Sequence, residues 1–217
     1  MLVGHLAAGL IAKRIEPRVS LGTYFFAVLL ADFIFFPLLL AGIEHVALVP
    51  GVTLNRAIGA DIVYSHSLLM LVIWGAILAG LYYWQKRYAR GAGILFAAVL
   101  RHWLLDVISH RPDMPLAPGL NRVFGLGLWN SIPATVIVEG GLWFLGIVIY
   151  AHATRPRNRL GVFAFWIVAI LLTLMWFANI TSGMAPDPVQ GGIAGLISFS
   201  LVVGWAYWMN RLRPALA

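Results

Sequence analysis

Six apolar runs constrain this chain more than any other feature: residues 21–42, 67–84, 91–109, 132–150, 160–180 and 191–209 are each long enough to cross a bilayer. At a rise of about 1.5 Å per helical residue they span a hydrocarbon core of about 30 Å, helped by tilt and interfacial residues. Only helices and closed barrels satisfy their own backbone in that solvent, and these runs lack the apolar/polar alternation of barrel strands. The expected class is all-α, a polytopic transmembrane helix bundle that residues 1–217 form as a single membrane domain. Composition agrees, since 61% of the residues are hydrophobic and only 11% charged. Pro37, inside the first run, lacks an amide hydrogen and is expected to kink it.

Charge between the runs sets a topology. Lys13, Arg14 and Arg18 precede the first run, Lys86, Arg87 and Arg90 follow the second, Arg155, Arg157 and Arg159 follow the fourth, and Arg211 and Arg213 follow the last. Every second connection is therefore basic, which by the positive-inside rule puts these clusters and the carboxyl terminus in the cytoplasm. Arg56, Arg111 and Arg122 fall on the outer side against this trend. The formal charge of +7 is spread over short clusters rather than one stripe, a pattern that suits anionic lipid headgroups and not nucleic acid. Membrane lipids are the expected partners, and the oligomeric state is left open. Residues 1–12 are apolar but too short to span, and their basic residues follow rather than precede them, unlike a signal peptide. Counting residues puts His5 about 12 Å and Asp32 about 16 Å from the basic side, so a half-helix paired with the first span brings them level.

Ionisable residues inside a membrane cost at least about 2.5 kcal/mol each on insertion scales, so their placement points to function. His5, Asp32, Arg101, His102, Asp106 and Glu139 lie within the apolar segments, with Asp61, His66, His110 and Asp113 near the outer interface. Spacings of four put His102, Asp106 and His110 on one helical face. Two imidazoles and a carboxylate are ligand types for zinc, with manganese or iron as alternatives, and with Cys at 0 no thiolate can contribute. The competing reading is a polar stripe packed on another helix or lining water. Asp32 has only apolar neighbours in sequence, so it needs a metal or a partner such as Arg101. His66 reads as a ligand or base, and Ser65 or Ser67 as an N-cap before the second span or, less simply, a nucleophile beside it. Glu139 is a ligand, a base or a partner of Arg101. The prolines of His110-Arg-Pro-Asp-Met-Pro115 end the third span in a rigid turn, and Gly125-Leu-Gly-Leu-Trp129 reads as loop packing. His45 and His152 carry no assigned role. The His-Glu-x-x-His, phosphate-loop and Gly-x-Ser-x-Gly motifs do not occur, which disfavours those enzyme classes.

In order, Gly4-His5, Ala31-Asp32, Ser65-His66-Ser67, His102-x-x-x-Asp106 and His110-Arg-Pro-Asp113 resemble the membrane-bound metal-dependent hydrolase family, which includes LexA-regulated inner-membrane proteins. The resemblance covers residues 1–150 and extends to Asp61, Leu68 and the segment Gly125 to Trp129. More loosely, the order His, Asp, His, His-x-x-x-Asp, Glu is similar to that of zinc-dependent phospholipases C, with Glu139 last. The resemblance implies a bacterial inner-membrane hydrolase with His5, Asp32, His66, His102, Asp106 and His110 as metal ligands. Glu139, Asp113 and Arg101 are then the catalytic candidates, with a lipid-like phosphoester as substrate, reached from the outer side. The alternative is a metal-ion or proton transporter that uses the same His/Asp cluster.

Overall fold

The computed structural model describes residues 1–48, 57–182 and 187–216; Arg56 and Ala217 lie outside them. The chain is mostly helical. Helix α1 (Leu2–Ile15) leads to α2 (Leu21–Val28) and α3 (Leu30–Leu40), then to a two-stranded antiparallel ladder of β1 (His45–Leu48) and β2 (Ala57–Asp61). A short α4 (Val63–His66) precedes the long antiparallel pair α5 (Leu68–Lys86) and α6 (Ala89–Ser109). A second ladder joins β3 (Met114–Pro115) to β4 (Val123–Phe124), and α7 (Ile132–Thr135) runs through a π-turn at Val136–Gly140 into α8 (Gly141–Ala153). Helices α9 (Arg159–Ser182) and α10 (Pro188–Leu212) complete the bundle. The all-α expectation holds for the bundle, while the two short ladders in the connections are additions to it.

Five of these helical segments are long and apolar enough to cross a membrane, or six if the bent pair α2–α3 counts as one span. The bend is where the expectation needs correcting. It measures 51° and falls at Leu29, between α2 and α3, whereas Pro37 sits inside α3 with its carbonyl still accepting from the Ala41 amide at 2.9 Å. A proline ring clashes with the turn before it, but Pro37 lies near the exposed end of α3, where the helix is about to stop at Ala41.

Helix α1 is short, about 21 Å by its rise, and it is largely buried, with α2, α6 and α8 around it. In lipid no hydrophobic force draws helices together, so association depends on close packing, which small residues permit. Gly4, Ala7, Ala8 and Gly9 provide it. A Cβ on Gly146 of α8 would stand 2.9 Å from the Ala7 Cα, so these two backbones meet only because that position is glycine.

The four basic clusters converge on one end of the bundle. Arg90 Nε lies 3.0 Å from Glu16 Oε2, Tyr88 donates to the same oxygen at 2.7 Å, and the Leu21 amide donates to Asn210 Oδ1 at 3.1 Å. The Arg155 and Arg157 amides bond the carbonyls of Pro214 and Leu212. Burial alone would raise the Glu16 carboxyl, but the Tyr88 hydroxyl, the Arg18 amide and Arg90 together hold it below its ordinary value. Lys13 spends its ammonium on the carbonyls of Pro17 and Val19, so the turn from α1 to α2 is closed by charge-assisted hydrogen bonds.

Candidate metal centre

At the other end, the tip of α1, the start of α3, α4 and the last turns of α6 bring His5, Asp32, His66, His102, Asp106 and His110 into one cluster. His102 and Asp106 are one turn apart and 1% and 2% exposed, with His102 Nε2 3.0 Å from Asp106 Oδ2. The His5 ring stacks on that of His102, centroids 3.8 Å apart and 7° from parallel, and its Nε2 is 3.0 Å from Asp106 Oδ1. Asp32 faces them across the bend, with Oδ2 3.8 Å from His102 Nε2 and Oδ1 3.8 Å from His66 Nε2. His110 Nε2 stands 3.9 Å from Asp106 Oδ1. Asp106 Oδ1 also accepts from the Met1 amino group at 3.1 Å.

Partners on the far side of three rings fix which nitrogen faces inward. His102 Nδ1 lies 2.7 Å from the Val28 carbonyl oxygen, which can only accept, so Nδ1 carries the proton. The break at Leu29 turns that carbonyl toward α6. His110 Nδ1 is 3.1 Å from Asp113 Oδ1, and His66 Nδ1 is 2.7 Å from Ser65 Oγ. Each ring thus spends Nδ1 outward and turns Nε2 toward Asp32 or Asp106, the orientation that outer partners give to metal-bound histidines. Two buried ring atoms, His102 Nε2 and His5 Nδ1, make no hydrogen bond. For His102 Nε2 the carboxylate is near but off the bonding axis. A bare imidazole lone pair beside two carboxylates is an electron-rich arrangement that a cation would satisfy. Among the described residues, two sets of ligand atoms lie within 4.8 Å of one another, His5/His102/Asp106 and Asp32/His66/His102.

The catalytic candidates fare unequally. Asp113 is in place against His110, where the turn is closed by its own amide donating to the Arg111 carbonyl at 2.6 Å. Glu139, 1% exposed and on the π-turn, borders the cluster by accepting from the Gly4 amide and from Trp129 Nε1, both at 3.4 Å. π-turns recur at functional sites because the extra residue re-aims a side chain. Arg101 does not enter: its side chain is exposed on a flank of α6 turned from His102 and Asp106, so the expected contacts with Asp32 and Glu139 do not form. Helical spacing explains this, because Arg101 is about 140° from the centre of the face that His102, Asp106 and His110 share. His45 and His152 are exposed and apart from the cluster.

Sequence reasoning missed Glu44, Trp129 and the Val28 carbonyl. Glu44 is fully buried, accepts the Tyr64 and Ser65 amides at 2.8 and 2.9 Å and takes the Ser65 hydroxyl at 2.6 Å. Burial raises its carboxyl above the ordinary value, against those hydrogen bonds. Trp129 lies against the His110 ring, centroids 4.6 Å apart. A backbone carbonyl has no sequence signature, and Glu44 is 21 residues from Ser65, beyond any local spacing.

These features define a polytopic helical membrane protein with a buried His/Asp cluster in the half of the bundle away from its basic end. More narrowly, the family model described as YdjM inner membrane protein matches residues 1–182. The chain belongs to that family and is an integral inner-membrane protein. No curated protein and no solved structure gives a significant match.

Proposed function

We propose that the protein is a membrane-embedded metal-dependent hydrolase acting on a lipid-like phosphoester. The observation that carries this reading is the inward set of Nε2 atoms, above all that of His102, which is buried and without a hydrogen bond beside Asp32 and Asp106. His5, Asp32, His66, His102, Asp106 and His110 would hold a divalent cation, zinc first and manganese or iron as alternatives, since nitrogen and carboxylate ligands suit all three. Such a cation polarises a phosphoryl oxygen and lowers the pKa of a bound water toward about 7. The chain supplies the remaining parts. Asp32 and His110, 19% and 15% exposed, are the open members of the cluster, where a headgroup would enter. Asp113 holds the His110 ring, Glu139 would take or return a proton, and Arg111, held by Asn130 at 3.1 Å, would meet a phosphate beside His110. Hydrolysis would add water across the P–O bond, with the leaving lipid alcohol taking up a proton.

The test is turnover in liposomes. Metal-loaded protein is expected to hydrolyse a phospholipid, a lipid phosphate or an isoprenoid phosphate, to stop when chelator is added and to resume with zinc or manganese. Protein that hydrolyses none of them but carries metal ions down a gradient would replace the enzyme by the transporter.

Orientation belongs to the same reading. With the basic end in the cytoplasm, the cluster lies in the outer half of the bilayer. A cysteine at Arg157 should then be labelled only from the inside and one at Asn121 only from the outside; both residues are exposed. The reverse pattern would place the site at the cytoplasmic leaflet.

A further inference from the structure

We infer that Glu44 and Ser65 form a positioning relay that holds His66 in the tautomer with a bare Nε2, and that Ser65 is not a nucleophile. The part of this inference that concerns metal affinity rests on the proposed metal site; the tautomer does not. Glu44 Oε1 is occupied by two backbone amides, of Tyr64 and Ser65, and Oε2 lies 2.6 Å from Ser65 Oγ. That separation is typical of a hydroxyl donating to an ionised carboxylate. Ser65 has a single hydroxyl proton. Once it is given to Glu44, Ser65 Oγ can only accept from His66 Nδ1, 2.7 Å away. His66 must then carry its proton on Nδ1, and Nε2, 3.8 Å from Asp32 Oδ1, is left as a lone pair aimed into the cluster. The Phe35 ring, perpendicular to the imidazole with centroids 5.5 Å apart, closes one side of it.

The order of the three groups distinguishes this from a nucleophilic triad. In a triad the histidine stands between serine and carboxylate and takes the serine proton. Here the serine stands in the middle, and its proton points to Glu44, away from any substrate. Ser65 is also fully buried, and His66 turns its free nitrogen to Asp32 rather than to Ser65. The hydrogen-bond direction runs from imidazole to hydroxyl to carboxylate, the pattern by which outer partners set ring orientation and raise ligand basicity. Glu44 reaches this place because it directly precedes β1, while α4 delivers Ser65 and His66 on one short turn.

Glu44→Gln gives the sharpest test. The two backbone amides require the amide oxygen on their side, so the amide NH2 takes the place of Oε2 and must donate to Ser65 Oγ. The Ser65 proton then has only His66 Nδ1 to bond, and the His66 proton is forced to Nε2, where it blocks ligation. Imidazole nitrogen-15 spectra of His66 in the wild-type protein should report protonation at Nδ1, and those of Glu44→Gln protonation at Nε2. Zinc should bind Glu44→Gln and Ser65→Ala about 10–100-fold more weakly than wild type, the range for outer partners of metal-bound histidines. Ser67→Ala, which removes the cap on the Met70 amide and touches neither ring, should keep the wild-type zinc affinity. An unflipped tautomer and unchanged zinc affinity in Glu44→Gln would overturn the relay. If that variant does not fold, a wild-type His66 protonated at Nε2 overturns it equally. If the wild-type protein binds no zinc while Glu44→Gln still moves the His66 proton from Nδ1 to Nε2, the metal reading fails and the relay stands.

Discussion

Alanine at His102 or at Asp106 is expected to weaken zinc binding at the proposed site by more than about 100-fold, beyond the range of outer partners. The two side chains are one helical turn apart on α6, are nearly inaccessible and approach to 3.0 Å, so a single rigid element aims both at one point. His102 has no alternative use for Nε2, which makes no hydrogen bond. Removing Asp106 takes away the carboxylate that His5, His102 and the Met1 amino group all face. Elemental analysis after dialysis against trace zinc reads the outcome, with Arg101→Ala as the control because that exposed side chain lies off the face. Full metal content in both His102→Ala and Asp106→Ala would refute ligation. Near-complete loss in Arg101→Ala as well would mean that the effect is one of folding.

The second large effect is expected at Gly125, where alanine should destabilise the protein by about 3 kcal/mol, the upper range for overpacking that backbone must absorb. A Cβ there would run into the Arg111 carbonyl and stand 2.6 Å from the carbonyl oxygen of His110. Neither can yield, since the turn is already closed by the Asp113 amide on the Arg111 carbonyl. The loop must therefore lift, and with it the Leu126 amide from Val107 and the Gly127 amide from His110, each at 2.7 Å. Trp129 would leave the His110 ring and Glu139. Thermal unfolding in detergent measures the loss, and Gly93→Ala, whose Cβ meets nothing within 4 Å, should be neutral or stabilising. If Gly125→Ala unfolds at the wild-type temperature, the loop is not held by this contact.

The residues of the His/Asp cluster were largely legible and their supports were not. His102, Asp106 and His110 announce a common face because a helix repeats every 3.6 residues, and α6 ends at Ser109 as the following prolines require. Asp32 stood out as a carboxylate without polar neighbours, and counting residues from the basic side put His5 level with it. The bend at Leu29 left no such trace. Ala27, Leu30 and Ala31 around it are good helix formers, while Pro37, the residue expected to kink the run, is accommodated near the end of α3. At the bend the Val28 carbonyl accepts from a long-range partner, the His102 ring, and no local propensity encodes that pairing. Arg101 misled for a related reason: depth in the bilayer can be counted along the chain, but direction around the helix decides contact.

By itself the sequence determined the solvent, the helical class, the common side of the basic clusters and the identity of the residues near the cluster. Each of these follows from periodicity, hydropathy or the cost of burying a charge, which are properties of short stretches of chain. Tertiary structure alone decided which nitrogen of each imidazole faces inward, that Ser65 relays rather than attacks, and that Glu44 and Trp129 belong to the cluster. Most of these depend on hydrogen bonds between groups far apart in the chain, 74 residues for His102 and Val28, 21 for Glu44 and Ser65 and 10 for Trp129 and Glu139, and a direction in space exists only after the helices have packed.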